Sequence, residues 1–334
     1  MKIHGKHICF LFVLGILPTT IIIMIGAQTL FNINILYAQN NSISKVSNKS
    51  LEKVWESPNQ LKNPESVVYD SKKNMLYVSN VDGNPDDKDN KGFISTISPT
   101  NGSIINLNWV SNLNAPKGID LDNNTGKLYV SDITNLIEID LSSGKIINRH
   151  PALDNSSLND VVIDKKGNVF VSDPPNNAIF TLDTKNNSAT TNNKSLQIWL
   201  KSKELNGPNG ITIDDSKNIL VVASMGKGTS EAGGTIKSIG LDNKTIISIG
   251  KEGITVPVGI LDGLQIGTDG KSYYVSDWNA KNIHIVDTSG IGFHELFNSQ
   301  MQGMADFRII YPEKELVIPL MSENKIISLR INTN

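Results

Sequence analysis

One phrase recurs six times along this chain: a Pro/Leu-x-Gly/Asp corner opening a short apolar run, then a turn, then a run close to Tyr-Val-Ser-Asp. The corners read Pro64-Glu65-Ser66, Pro116-Lys117-Gly118, Leu158-Asn159-Asp160, Pro208-Asn209-Gly210, Leu261-Asp262-Gly263 and Met304-Ala305-Asp306. Their middle residues are spaced by 52, 42, 50, 53 and 43 residues. That interval suits one four-stranded blade and not a helical repeat, so the spacing predicts an all-β chain folded as a six-bladed β-propeller.

The strings between the corners support this. In blade three, residues 160–164 read as an inner strand, Lys165-Lys166-Gly167-Asn168 as a tight turn, 169–173 as the return and 178–183 as a third strand. Gly and Asn tolerate the positive φ such turns need. Equivalent turns stand at Asn123-Asn124-Thr125-Gly126 and Thr268-Asp269-Gly270. Blade six offers only three strands, 305–310, 315–320 and 325–331. The run Glu52-Lys53-Val54-Trp55-Glu56, ahead of the first inner strand, is expected to complete that blade and join the two ends, leaving no open edge.

Composition narrows the function. A formal charge of −2 over 334 residues offers no basic patch for nucleic acid, and a small-molecule ligand and a monomer are expected. Residues 1–38 differ in kind: Lys2 and Lys6 precede an apolar stretch from Ile8 to Ala27, with small residues at Ala27 and Ala38 suited to cleavage. They read as an export signal or an N-terminal membrane anchor, which would be the only contact with a membrane, and the product as secreted or extracytoplasmic. Residues 39–50 form a polar linker, and 51–334 the propeller. The one cysteine, Cys9, lies in the signal, so disulfides and thiolate metal sites are excluded from the domain. Eight Asn-x-Ser/Thr sequons are spread over the chain, as its abundance of Asn leads one to expect.

In a propeller the start of every inner strand lies at the mouth of the central channel, together with the loops that follow the second strands. Glu65, Lys117, Asn159, Asn209, Asp262 and Ala305 therefore share one place. Four of them carry side-chain oxygens that suit a hard divalent cation. Lys117 supplies a positive charge that either weakens a metal site or favours an anionic ligand. The bland alternative is that Asn-Gly and Asp-Gly merely start strands, with Lys117 paired to Glu65 and no metal. Two of the loops on this face are long, Val81 to Gly92 in blade one and Met225 to Gly234 in blade four. Asp82, Asn84, Asp86 and Asp89 have the spacing of a calcium loop, but Asp87 and Phe93 stand where its glycine and final glutamate belong. Asp132, Asp173 and Asp277, ending second strands, read as blade-to-blade hydrogen-bond acceptors. His150, His284 and His294 form no paired-histidine pattern, and no serine nucleophile elbow is present.

Four local strings resemble the regucalcin/gluconolactonase/luciferin-regenerating-enzyme (senescence marker protein) family of six-bladed propellers. Glu65-Ser66-Val67-Val68-Tyr69 is similar to its Glu-Gly-Pro-x-Trp start, and Pro208-Asn209-Gly210-Ile211 to its Asn-Gly-Leu segment. Leu261-Asp262-Gly263-Leu264, followed by Asp269-Gly270-Lys271-Ser272-Tyr273-Tyr274-Val275, is similar to its Pro-Asp-Gly-Leu segment. The resemblance implies metal ligands at Glu65, Asn209 and Asp262, with Asp262 also the catalytic base or water-orienting group, and substrate contacts from Asn159. Lys117 joins the substrate-binding set through its charge. The implied cofactor is one divalent cation, calcium before magnesium, manganese or zinc. The implied activity is gluconolactonase-like hydrolysis of a lactone or ester; the alternative is a non-catalytic binding scaffold using the long loops. Two departures, Ser66-Val67 for the family's Gly-Pro and Ser157 for its arginine before the substrate asparagine, point away from sugar-acid specificity.

Overall fold

In the computed structural model, residues 50–182, 195–226, 233–249, 259–267, 270–288, 293–296, 301–312 and 314–332 are described. The expected signal and most of the linker lie outside them, as do the turn residues 268–269 and residues 227–232 of the blade-four loop. Among the described residues no helix is long and apolar enough to cross a membrane.

The described strands form six four-stranded antiparallel sheets. Five sheets run in chain order from inner to outer strand, the inner strands being Pro64–Asp70, Pro116–Asp122, Val161–Ile163, Pro208–Asp214 and Leu261–Ile266. The sixth places Arg308–Ile310 innermost and Ser50–Glu56 outermost. Blade three begins its inner strand one residue later than the sequence suggests, and blade six three residues later.

The apolar residues gather between blades. Among the described residues seven buried clusters occur, six of them at the junctions of neighbouring sheets and a small one of Val81, Ala115 and Ile133. Val68, Ile94, Ile119 and Ile137 lie between blades one and two, and Val171 and Leu136 between two and three. Ile179 and Ile211 mark the next junction, Val221 and Val275 the one after, and Ile283 and Phe307 that between five and six. Alternation along each strand sends one set of side chains to the blade before and the other to the blade after, so both faces of every sheet are covered.

The sixth junction depends on the far end of the chain. Ser50–Glu56 runs antiparallel to Lys325–Asn332, with Leu51 opposite Ile331 and Glu56 opposite Ile327. A register shift between Lys53 and Trp55 turns the indole inward. Trp55 packs with Ile310, Val317 and Ile326 of blade six and with Leu61, Val67 and Leu76 of blade one, and its Nε1 donates to the Pro99 carbonyl at 2.8 Å. Ser57 then exchanges two bonds with Ile326: its N–H donates to the carbonyl at 2.9 Å, and its hydroxyl accepts from the N–H at 3.0 Å. Deleting residues 325–334 should strip blade six of the strand that carries this junction and yield aggregated protein. A soluble truncation with an unchanged melting temperature would show that the ring holds without it.

Candidate functional site at the channel mouth

Four of the six corners are β-bulges. The register shifts between Pro64 and Val67, Pro116 and Ile119, Pro208 and Ile211, and Leu261 and Leu264. The bulged pairs are Glu65-Ser66, Lys117-Gly118, Asn209-Gly210 and Asp262-Gly263, and a bulge re-aims its side chains away from the regular pleat. The small second residue has a steric cause. A Cβ on Gly210 would lie 1.9 Å from the Asp262 carbonyl oxygen, and one on Gly118 would lie 2.6 Å from the Asn159 oxygen. Each glycine thus lets the next blade's mouth residue pack against it. Serines of the Tyr-Val-Ser-Asp phrase fasten the same backbones: Ser79 accepts from Ser66 N–H and Ser172 from Asp160 N–H, while Ser276 donates to the Ala305 carbonyl and Ser131 to that of Asn159.

Of the expected site residues, Glu65, Lys117 and Asn209 are buried, while Asn159 and Asp262 keep partial exposure. Asp262 lies close enough to Glu65 for its charge to act on that carboxyl, and Asn209 adjoins Asp262 through the Gly210 contact. Glu65 Oε2 and Asn209 Oδ1 are both buried without a hydrogen-bond partner. Lys117 does not pair with Glu65. Its Nζ donates instead to the Pro85 carbonyl at 3.0 Å, and among the described residues it makes no ion pair.

That carbonyl belongs to the long blade-one loop. The next residue, Asp86, accepts from the Ser157 hydroxyl at 3.4 Å, on the connection leading into blade three. The loop therefore leans from blade one over blades two and three, beside Lys117 and Asn159. It does not gather its acids as a calcium loop does: Asn84 accepts from Asp86 N–H and Asp89 pairs with Lys91. Among the described residues no group of three or more His, Cys, Asp or Glu could hold a metal ion; the expected set contains two carboxylates and one amide.

The structure adds residues that the sequence reading passed over. Asp160 and Asp306 occupy the corner position that holds glycine in three other blades. Asp160 accepts from Ile211 N–H of blade four at 2.7 Å, and Asp306 from the Ser66 hydroxyl at 2.5 Å. Asp120 joins them, accepting from Ile163 N–H at 3.0 Å, with Arg308 at 4.0 Å. The signal for Asp160 and Asp306 was available: an acid in a slot otherwise kept small.

These acids titrate high. Burial, then the charges of Asp262 and Asp306, holds Glu65 well above the usual carboxylate range. Burial and Asp306 push Asp262 up to about 7. Burial lifts Asp306 to about 6, and burial with the Asp306 charge raises Asp160 well above its ordinary value. Desolvation lowers Lys117. The mouth thus gathers more buried carboxyls than it has cations to balance them, which favours their protonated forms.

The second-strand acids act otherwise than expected. Asp132 accepts from Asn114 and Ala115 N–H, both at 2.9 Å, and Asp173 from Ser157 N–H at 3.3 Å. They secure the connection entering their own blade. Asp277 caps the turn after it through Asn279 and Ala280 N–H and meets His284 at 3.4 Å. His150 pairs with Glu138 at 3.0 Å on blade two. Neither of these two histidines lies on an inner strand. Trp278, next after Asp277, is 40% exposed, and its N–H donates to the Ile260 carbonyl, two residues before Asp262.

No family model matches the chain, and no curated protein matches it. Solved structures do. A streptogramin B lyase superposes with a TM-score of 0.60 at 12% identity, covering 86% of this chain and all of that one. Virginiamycin B lyase from Staphylococcus aureus gives 0.59 at 15%, covering 85% of this chain and all of that one. A structure titled a putative gluconolactonase gives 0.59 at 15%, covering 86% and 94%. At such identities the likeness is one of fold. The chain is a six-bladed β-propeller, the fold it shares with these structures.

Proposed function

We propose that this protein is an exported hydrolase of lactones or esters, working at the channel mouth with one divalent cation, calcium first. The observation that carries this reading is the pair of buried, unpartnered oxygens, Glu65 Oε2 and Asn209 Oδ1, beside the half-buried Asp262. A buried acceptor without a donor costs about 1–3 kcal/mol, and a cation held by Glu65, Asn209 and Asp262 would remove that cost for both. The donors are hard oxygens, as calcium, magnesium and manganese require. When bound, the cation supplies Lewis-acid polarisation of a substrate carbonyl.

The remaining chemistry falls to the chain. Asp262 orients the attacking water and takes its proton. Asn159, partly exposed at the same mouth, holds the substrate by its amide. Lys117 offers its ammonium to a carboxylate or phosphate on the substrate, and the blade-one loop above it limits water at that side. Purified protein assayed against D-glucono-δ-lactone, an acyl-homoserine lactone and 4-nitrophenyl acetate, with metal content measured in parallel, tests the reading. A protein that holds a cation and turns over none of these is the binding scaffold instead.

Calcium or manganese added to chelator-treated protein should raise the melting temperature by mass action, about 2.7 kcal/mol at a hundredfold excess over Kd. Asp262→Ala should abolish that rise. No shift with any divalent ion in the wild type would remove the cation from the mechanism.

Stability in chelator should fall as pH rises. The folded state keeps Asp262 protonated up to about 7 and Asp306 to about 6, whereas the unfolded chain releases those protons near pH 4. The folded state therefore binds more protons across that window, and its advantage, full below pH 4, is lost by pH 7. Thermal melts from pH 4 to 8 check the slope, which Asp306→Asn should flatten. Lys117→Met, by removing like charge from the mouth, should tighten cation binding severalfold and weaken binding of an anionic product such as gluconate. Unchanged affinities in both titrations would place Lys117 outside the site.

A further inference from the structure

Blade six brings no side-chain oxygen to the mouth from the middle of its corner, which carries Ala305 where the other blades carry Glu65, Lys117, Asn159, Asn209 and Asp262. It stands, however, between blade five and blade one, whose corners hold the two carboxylates of the proposed cation site. Asp262 lies near enough to Glu65 for its charge to act there, and the corner of blade six is what separates their strands.

Asp306, the residue after Ala305, touches both neighbours. Toward blade one, its N–H donates to the Glu65 carbonyl at 3.3 Å, and its Oδ2 accepts from the Ser66 hydroxyl at 2.5 Å. Ser66 follows Glu65, is fully buried, and is held from its other side by Ser79, which accepts from its N–H at 3.0 Å. Toward blade five, a Cβ on Gly263 would lie 2.2 Å from Asp306 Oδ1 and 2.7 Å from its Cα. The backbone next to Asp262 therefore rests directly on Asp306. Oδ1 is buried and receives no hydrogen bond, so one carboxyl oxygen acts by a bond and the other by contact. The residues on either side of Asp306 are fixed in turn: Ser276 of blade five donates to the Ala305 carbonyl at 2.6 Å, and Phe307 is buried in the junction of blades five and six.

We propose that Asp306 is the positioning residue of the mouth: it sets the spacing of Glu65 and Asp262 by bridging the residues that follow them, and so builds the cation site from a blade that supplies no ligand. This rests on the reading of the mouth given above. A cation shared by oxygens on separate strands is held tightly only where those strands are already fixed at the right separation; otherwise drawing two like charges together counts against binding. The glycines of blades two, four and five leave room at this position but offer no acceptor to a hydroxyl. The bridge therefore needs the acid, or an isostere of it.

Calorimetric titration of chelator-treated full-length protein with calcium or manganese tests this, with melting curves to show that each variant is folded. Asp306→Gly, which installs the residue that three other blades carry there, should weaken the cation Kd about ten- to a hundredfold. Ser66→Ala, which alters no charge, should weaken it about tenfold. Asp306→Asn keeps the volume and an oxygen for Ser66, and should stay within severalfold of the wild type. The double variant should lose no more than Asp306→Gly alone, because both substitutions cut one bridge. In crystals grown with chelator, the Cα separation of Glu65 and Asp262 should persist in Asp306→Asn and change by about 0.5 Å or more in Asp306→Gly. Equal weakening in Asp306→Asn and Asp306→Gly with Ser66→Ala unaffected would mean that Asp306 acts by charge alone and would overturn the proposal, as would an unchanged separation in Asp306→Gly. A wild type that takes up no cation would remove the cation from the mouth, and the separation measured in chelator would then decide by itself whether Asp306 positions these two residues.

Discussion

The molecule depends on how closely its inner strands approach one axis. Where Gly210 passes Asp262, a single added carbon would sit 1.9 Å from the carbonyl oxygen, inside any tolerable contact. Backbone approach at that distance has two consequences. The sheets fan outward from the axis, so their widening gaps take the six apolar clusters between blades. The residue before each glycine is displaced by a bulge, so its side chain projects at the mouth. Stability and site thus come from the same corner.

Closeness also fixes the electrostatics. An acid placed in the glycine slot cannot avoid its neighbours: Asp160 bonds across to Ile211, and Asp306 to Ser66. These bonds tie blade three to four and blade six to one where a glycine would merely allow contact. They also bring two carboxyls near Glu65 and Asp262, and the charge of Asp306 raises both. The corner position is therefore used in two ways, as space in blades two, four and five, and as a buried ionisable group in blades three and six.

The ring itself was legible because a blade is the repeating unit: the corner and the Tyr-Val-Ser-Asp phrase must recur for every sheet to pack on the next. The position of Glu65, Asn209 and Asp262 followed from the same regularity. What the repeat hid was the exception. Gly and Asp both read as turn residues at a strand start, so Asp160 and Asp306 looked equivalent to Gly118 and Gly210, although one type vacates the channel and the other fills it. Asp132 and Asp173 were misjudged for a related reason. Strand ends look alike in sequence, but the backbone donors nearest to these two acids belong to the connection arriving at the same blade.

The remaining difficulty in the sequence was Lys117, whose ammonium stands among acids yet ought to oppose a cation. Geometry resolves it. Had Lys117 paired with Glu65, as adjacent blades would permit, the Glu65 oxygens would be committed and the mouth would be a neutral ion pair. The Pro85 carbonyl draws the ammonium toward the blade-one loop instead, and no ion pair with Glu65 forms among the described residues. A neutral acceptor leaves the charge of Lys117 uncancelled and Glu65 Oε2 free. The loop therefore does more than cover one side of the mouth. By giving the ammonium a neutral acceptor, it leaves Lys117 and Glu65 side by side without an ion pair, as the proposed use of the mouth requires.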